Sequence, residues 1–301
     1  MMNLRKSALP PGWYPQNPAK IDEFLGGFAQ SAQKTPLPGP VIAAVAPHAG
    51  WYYSGAAAAQ AVSTLAMQAG QCGTIAVIGG HLPDGAPALF AMEDAVATPL
   101  GDMEIDAGLR SALIKKFGEI PGLETAQDQY QDNTVEALLP MVKYFFPKAL
   151  LLWLRLPACM ASYEAGKALA ATASSLGTKL LVLGSTDLTH YGAAYGFSPR
   201  GSGKEALSWV KSVNDRRFIE AVEAGDPRAV LSRATEEHSA CSAGAVLGVM
   251  GYAEETRTLQ NKTAKCAGEL IAYHSSADTS IEDGEGIPSS FVGYGAFVFN
   301  A

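Results

Sequence analysis

Charge is scarce in this 301-residue chain. Asp, Glu, Lys and Arg supply only 17% of it, against 48% apolar residues. So little charge over so much apolar material implies a large buried core. Basic runs are missing and the formal net charge is −7, which argues against nucleic acid or an anionic membrane surface as partner. No uninterrupted apolar stretch reaches the length of a membrane span. The opening residues MMNLRKSALPPGWYP lack the apolar run of a signal peptide. The four cysteines (Cys72, Cys159, Cys241 and Cys266) show no CxxC spacing and are expected to be reduced thiols of a cytoplasmic protein. A GxSxG elbow, an HExxH helix and a glycine-rich dinucleotide fingerprint are also absent. Gly201-Ser202-Gly203-Lys204 is no phosphate loop, because Glu205 follows the lysine and the earlier glycine is missing. Solenoid repeats and low-complexity tracts are lacking too.

Histidine is rare as well: His48, His81, His190, His238 and His274 are all there are. Their placement is therefore informative. The stretch Val41 to Gly55 reads VIAAVAPHAGWYYSG. Its first six residues form a buried-strand pattern that stops at Pro47, and His48 follows directly. The chain is then expected to turn through Trp51, Tyr52 and Tyr53 into an alanine-rich helix over Ala56 to Met67. Thr74 to Ile78 repeats the pattern, ending in a Gly79-Gly80-His81 loop. Lys179 to Gly184 repeats it again, running into Ser185-Thr186-Asp187-Leu188-Thr189-His190-Tyr191-Gly192. Ligands bind beyond the carboxyl ends of strands in open α/β sheets. Three histidines at three such ends are thus candidate metal ligands or acid/base groups, and Asp187 is placed to orient His190.

The remaining pattern alternates strands with helices. Ile21 to Ala32 has the apolar spacing of an amphipathic helix. Short strands are expected within Ala88 to Ala97, and Asp106 should cap a helix through Lys116. Asn133 and Glu136 fit a relaxed capping box, with Pro140 resetting the helix beyond. Ala149 to Leu156 reads as a third buried strand, Met160 to Leu176 as a helix and Glu205 to Ala224 as another. Asp226-Pro227 should start a helix. Cys241 precedes the helix Ser242 to Met250, where the dipole favours thiolate. Gly268 to Tyr273 and Ser290 to Phe299 should close the sheet, with His274 a loop histidine without a role. Trp13 and Tyr14 should anchor the amino-terminal segment on the core. This order predicts an α/β fold in one domain, residues 1–301: a three-layer α/β/α sandwich with a mixed central sheet.

PHAGWYYSG resembles the signature of the Memo family, also called AmmeMemoRadiSam system protein B. Gly12-Trp13-Tyr14-Pro15 is similar to that family's amino-terminal GxWYP segment, Thr98 to Asp102 to its TPLGD segment, and Ser185 to Gly192 to its SSDLSHYG segment. The matches run in the family's order over most of the chain. The resemblance implies kinship in fold with class III extradiol ring-cleaving dioxygenases, which are non-haem iron enzymes. It implies that His48, His81 and Cys241 are metal ligands, with Cys241 where the dioxygenases use a carboxylate. His190 would match the acid/base histidine. Asp187, Trp13 and Tyr53 would line the same cavity. Three departures stand out. Asn133 replaces the histidine of the family's EHSxE segment, the GPSHH loop is shortened before His81, and Ser242 replaces a glycine.

Two imidazoles and a thiolate suit iron(II), the occupant the resemblance favours, and also zinc or copper. The main expectation is a metal-dependent redox enzyme of dioxygenase ancestry. The alternatives are a binding protein in which Trp13, Trp51 and Tyr53 contact a small aromatic or peptide ligand, and a thiol or zinc hydrolase using Cys241 with His238 or His190. Partner proteins of the AmmeMemoRadiSam system are expected by resemblance alone.

Overall fold

A computed structural model describes residues 2–32, 39–68, 72–262 and 267–301; Cys266 lies outside them. The strands in chain order are β1 (Leu4–Arg5), β2 (Val41–Ala46), β3 (Thr74–Leu82), β4 (Ala88–Phe90), β5 (Ala95–Val96), β6 (Met103–Glu104), β7 (Thr125–Gln127), β8 (Leu150–Pro157), β9 (Leu180–Ser185), β10 (His190–Gly192), β11 (Glu269–Ser275) and β12 (Ser290–Asn300). The main sheet runs β10-β12-β2-β9-β3-β8-β4-β7, with β11 also paired to β12. Its centre, β2-β9-β3-β8, is parallel. Antiparallel β12 and β4 flank that centre, so the sheet is mixed as expected.

Alternate residues of the parallel strands face opposite layers. Ala76, Ile78, Leu152, Leu154 and Val182 pack on one side, beside the helices Ala161–Ser175 and Ala243–Leu259. Ile75, Val77, Leu151, Trp153 and Leu181 pack on the other, beside Pro18–Ala32 and Trp51–Gln68. A continuous apolar run is what a strand buried on both faces requires. The layers are close. A Cβ at Gly166 would stand 2.0 Å from Gly248 O, and one at Gly244 would stand 2.3 Å from both Leu156 O and Pro157 O. The amino end of helix Ala243–Leu259 is thereby pressed onto the carboxyl end of β8, which sets Cys241 above the sheet edge.

The structure corrects several local expectations. The helix after His48 begins at Trp51 rather than Ala56, so the three aromatics form its first turn. β3 continues through His81 to Leu82; this histidine is in the strand, at a register shift against β8, and not on a loop. Asp132, not Asn133, caps the short helix Asn133–Glu136 by accepting from Thr134 N. Glu136 forms no capping box, because its carboxylate is turned to Ala8 N, Leu9 N and the Tyr14 hydroxyl. The single helix expected over Glu205 to Ala224 is split by a π turn, Val210–Asn214. His274 lies within β11. Pro140 does reset the chain, at the start of helix Leu139–Phe145, and Asp106 and Asp226 cap their helices.

Candidate metal centre

In the order β2-β9-β3, the carboxyl ends of three neighbouring parallel strands point the same way. His48 follows β2 by two residues, Ser185 closes β9, and His81 is the penultimate residue of β3. Cys241 approaches from above, two residues before its helix. One donor atom each from His48, His81 and Cys241 lies within 4.8 Å of the others.

His48 is 1% exposed. Its Nδ1 is 2.7 Å from Ser185 Oγ, which leaves Nε2 facing the cluster, 3.3 Å from Cys241 Sγ. Its backbone N–H donates to Asp187 Oδ1 at 2.7 Å. Asn133, standing in for the family histidine, donates from Nδ2 to the His48 carbonyl at 3.1 Å. Burial opposes protonation of His48, but Asp187 and the Cys241 sulfur outweigh it and raise its pKa.

His81 has a φ of 56°, in the left-handed region that non-glycine residues rarely occupy. Its ring meets that of His48 edge-on at 4.9 Å. Nδ1 is 3.1 Å from Asp132 Oδ2, which leaves Nε2 for the cluster. That same carboxylate oxygen is 3.1 Å from Arg155 Nη2. Burial works against the charged ring, yet Asp132 and Cys241 prevail and push its pKa up to about 10.

Cys241 is a free thiol, as are Cys72 and Cys159. Its Sγ receives Asp187 N–H at 3.3 Å, while its own N–H donates to Asp187 O at 3.2 Å. Burial alone would hold the thiol protonated, but His48, His190 and His81 pull its pKa well below the ordinary value.

His190 opens β10, and its Nε2 is buried without a hydrogen-bond partner. Asp187 Oδ2 is 3.7 Å from this nitrogen and 3.8 Å from His48 Nε2. The carboxylate thus stands between two imidazoles, within ion-pair distance of both rings. Burial disfavours the cation at His190, but Asp187 and the Cys241 sulfur raise its pKa to about 10. Tyr195, 47% exposed, covers the ring at 4.9 Å. Beneath the loop, fully buried Asp215 accepts from Thr189 N at 3.0 Å, from the Thr189 hydroxyl, and from the Tyr273 hydroxyl at 2.8 Å. Asn214 donates to Thr189 Oγ1 at 2.9 Å and to Glu237 O at 3.0 Å. Asn214 closes the π turn and Asp215 follows it, and such turns are frequent near functional sites.

The aromatic candidates do not converge. Trp51 is 5% exposed, donates from Nε1 to Ala137 O at 2.9 Å, and packs on Tyr14 and Phe24. It lines a separate cavity of 760 Å³ with Tyr14, Phe24 and Lys20. Trp13 is half-buried and its carbonyl accepts from Trp51 N at 2.8 Å. Tyr53 is exposed, and its carbonyl meets His274 Nε2 at 2.7 Å. His238 packs on Phe197, away from the cluster's donor atoms. Sequence reasoning missed Ser185, Asp132 and Arg155 as partners of the histidines. The only local signal was that Ser185 and Asp132 fall within motif segments already singled out.

A mixed sheet between helical layers, with two histidines and a cysteine gathered at the ends of its parallel strands, defines an α/β protein with a candidate three-ligand metal site. The profile of the Memo-like protein family matches residues 5–298, and the chain belongs to that family. A MEMO1 family protein of Methanopyrus kandleri is 28% identical over 98% of both chains. Another, from Pyrococcus horikoshii, is 27% identical over 95% of this chain and 96% of its own. A solved structure of an uncharacterized protein from Escherichia coli K12 aligns with 13% identity and a TM-score of 0.42, covering 84% of this chain and 98% of that one.

Proposed function

We propose that this chain is a mononuclear metal protein in which His48, His81 and Cys241 hold iron(II), and that it acts as a redox enzyme of dioxygenase ancestry on a small aromatic substrate. The observation that carries the reading is the approach of three donor atoms to within 4.8 Å, two of them on imidazoles whose other nitrogen is already engaged. That is the donor set a site of this kind needs, each histidine fixed by a second partner. Iron(II) bound there would supply a redox-active Lewis acid with positions left open for substrate. His190 would take or give the substrate's proton at Nε2, which has no partner of its own. Asp187 would stabilise whichever neighbouring imidazole is charged, from 3.7 and 3.8 Å. The exposed ring of Tyr195, 4.9 Å from that of His190, would supply apolar contact. We place this activity in the cytoplasm, together with AmmeMemoRadiSam system partners.

A second reading rests on the same sulfur. A thiol pulled down by three histidines could bind zinc for hydrolysis or act as a nucleophile itself. Elemental analysis of protein purified anaerobically, beside His48→Ala and Cys241→Ala, separates the two. Near-stoichiometric iron lost from both variants supports the first reading. Zinc lost from both favours the second. A parent that takes up no metal on reconstitution removes the metal site and leaves a ligand-binding pocket.

A further inference from the structure

β8 lies inside the sheet; its residues are buried beyond the half-buried Leu150, and all but Arg155 are apolar. Arg155 is 3% exposed. Its guanidinium reaches three acceptors at once: Gly80 O at 3.0 Å from Nε, Asp128 Oδ1 at 3.3 Å from Nη1, and Asp132 Oδ2 at 3.1 Å from Nη2. Burying such a group is costly, and a well-packed apolar residue generally serves a fold as well or better. An apolar residue could not hold the carbonyl of Gly80 and the carboxylate of Asp132 together.

Both acceptors lead to His81. The Gly80–His81 peptide precedes the left-handed residue, and Gly80 is gripped at both ends: its N–H donates to Thr134 Oγ1 at 3.2 Å and its carbonyl accepts from Arg155. Asp132 Oδ2 meets His81 Nδ1 at 3.1 Å. Its other oxygen caps Thr134 N at 2.8 Å. A residue in the left-handed region persists only where its surroundings over-determine it. Here one arginine fixes the backbone before the strained residue and the carboxylate that aims its ring.

We propose that Arg155 is a positioning residue for His81, setting the backbone and the imidazole of that ligand through Gly80 O and Asp132. This rests on the reading of His81 as a metal ligand. Lysine could not substitute, because its single ammonium lacks the planar fork that spans the three acceptors.

Arg155→Lys keeps the charge, and Asp132→Asn keeps an acceptor for Thr134 N should the first variant fold poorly. Cobalt(II) is the probe. Affinity is expected to fall about 10–100-fold in each variant, the range seen when a partner of a ligating histidine is lost. The cobalt d–d bands should change while the thiolate charge-transfer band persists, because Cys241 still binds. A role in the fold alone would lower the melting temperature and leave affinity and d–d bands as in the parent, and that result overturns the proposal. A second readout needs no metal: the carbon-bound ring protons of His81 in the NMR spectrum of metal-free protein. Shifted or exchange-broadened His81 signals in Arg155→Lys support the positioning role, and unchanged signals overturn it. If the parent binds no cobalt but the ring signals change, the metal reading falls and the positioning role stands.

Discussion

The hydroxyl of Ser185 stands 2.7 Å from Nδ1 of His48. Ser185 closes β9, the strand between β2, which leads into His48, and β3, which carries His81, so the centre of the sheet orients a histidine just beyond its neighbour. Ser185→Ala should leave the fold in place, because a buried alanine suits a strand end, but free the ring to turn. The expected loss in zinc affinity is about 10–100-fold, read by competition with a chromophoric chelator. An unchanged affinity would show that His48 is held by packing alone.

Gly80 and Ser242 are pressed together at the junction of two ligand-bearing segments. A Cβ at Gly80 would stand 2.4 Å from Ser242 Cβ and 2.6 Å from its Oγ. Gly80→Ala should therefore push His81 away from Cys241, costing about 1–3 kcal/mol and lowering metal occupancy. Ser242→Gly removes both contacts and should restore much of what Gly80→Ala loses. Additive effects in the double-mutant cycle would show that the two sites are independent.

Glu136 ties down the amino-terminal segment by accepting from Ala8 N, Leu9 N and the Tyr14 hydroxyl. Glu136→Ala leaves those donors unpaired at a half-buried site, and a loss of about 2–4 kcal/mol in urea denaturation is expected. Limited proteolysis should then cut before Tyr14. Resistance equal to the parent's would mean that Tyr14 and Trp51 packing holds the segment without the carboxylate.

Asp215 gives a pH dependence of defined sign. Burial raises its pKa from 3.8 to about 6, against the hydrogen bonds from Thr189 and Tyr273. A pKa raised by folding means that the neutral form is favoured in the folded state. The resulting stabilisation is full below 3.8 and lost as pH rises through about 6. Melting temperature should fall across that window in the parent, by a free energy on the order of 3 kcal/mol. The Asp215→Asn variant should lack that component, so identical slopes in the two proteins would rule it out.

The sheet was legible in the sequence because buried parallel strands announce themselves as short apolar runs. Val41 to Ala46, Thr74 to Ile78 and Lys179 to Gly184 are each such a run. The histidines at their ends followed, since position along a strand is local information. Ser185, Asp132 and Arg155 were not found as partners, because which buried polar groups meet depends on strand order and register. Arg155 in particular sits in an apolar run where periodicity says only that it is buried. Glycines at 79 and 80 read as a turn, which places His81 on a loop; tertiary packing against Thr134 and Ser242 uses their lack of a side chain instead. Asp132 and Asn133 both cap helices well, and the choice between them was made by the pull of Arg155 and His81 on Asp132.

The three candidate ligands come from one strand-end loop, the second strand over and the approach to a late helix, and the strand between the first two is contributed by residues 180–185. No hairpin or local segment can bring them together. Their meeting requires long-range parallel pairing, the slowest kind of contact to form. A refolding experiment should therefore show secondary structure first and the capacity to capture an ion last. Uptake of a coloured metal would time the final closure of this sheet, as a signal that the whole chain has found its partners.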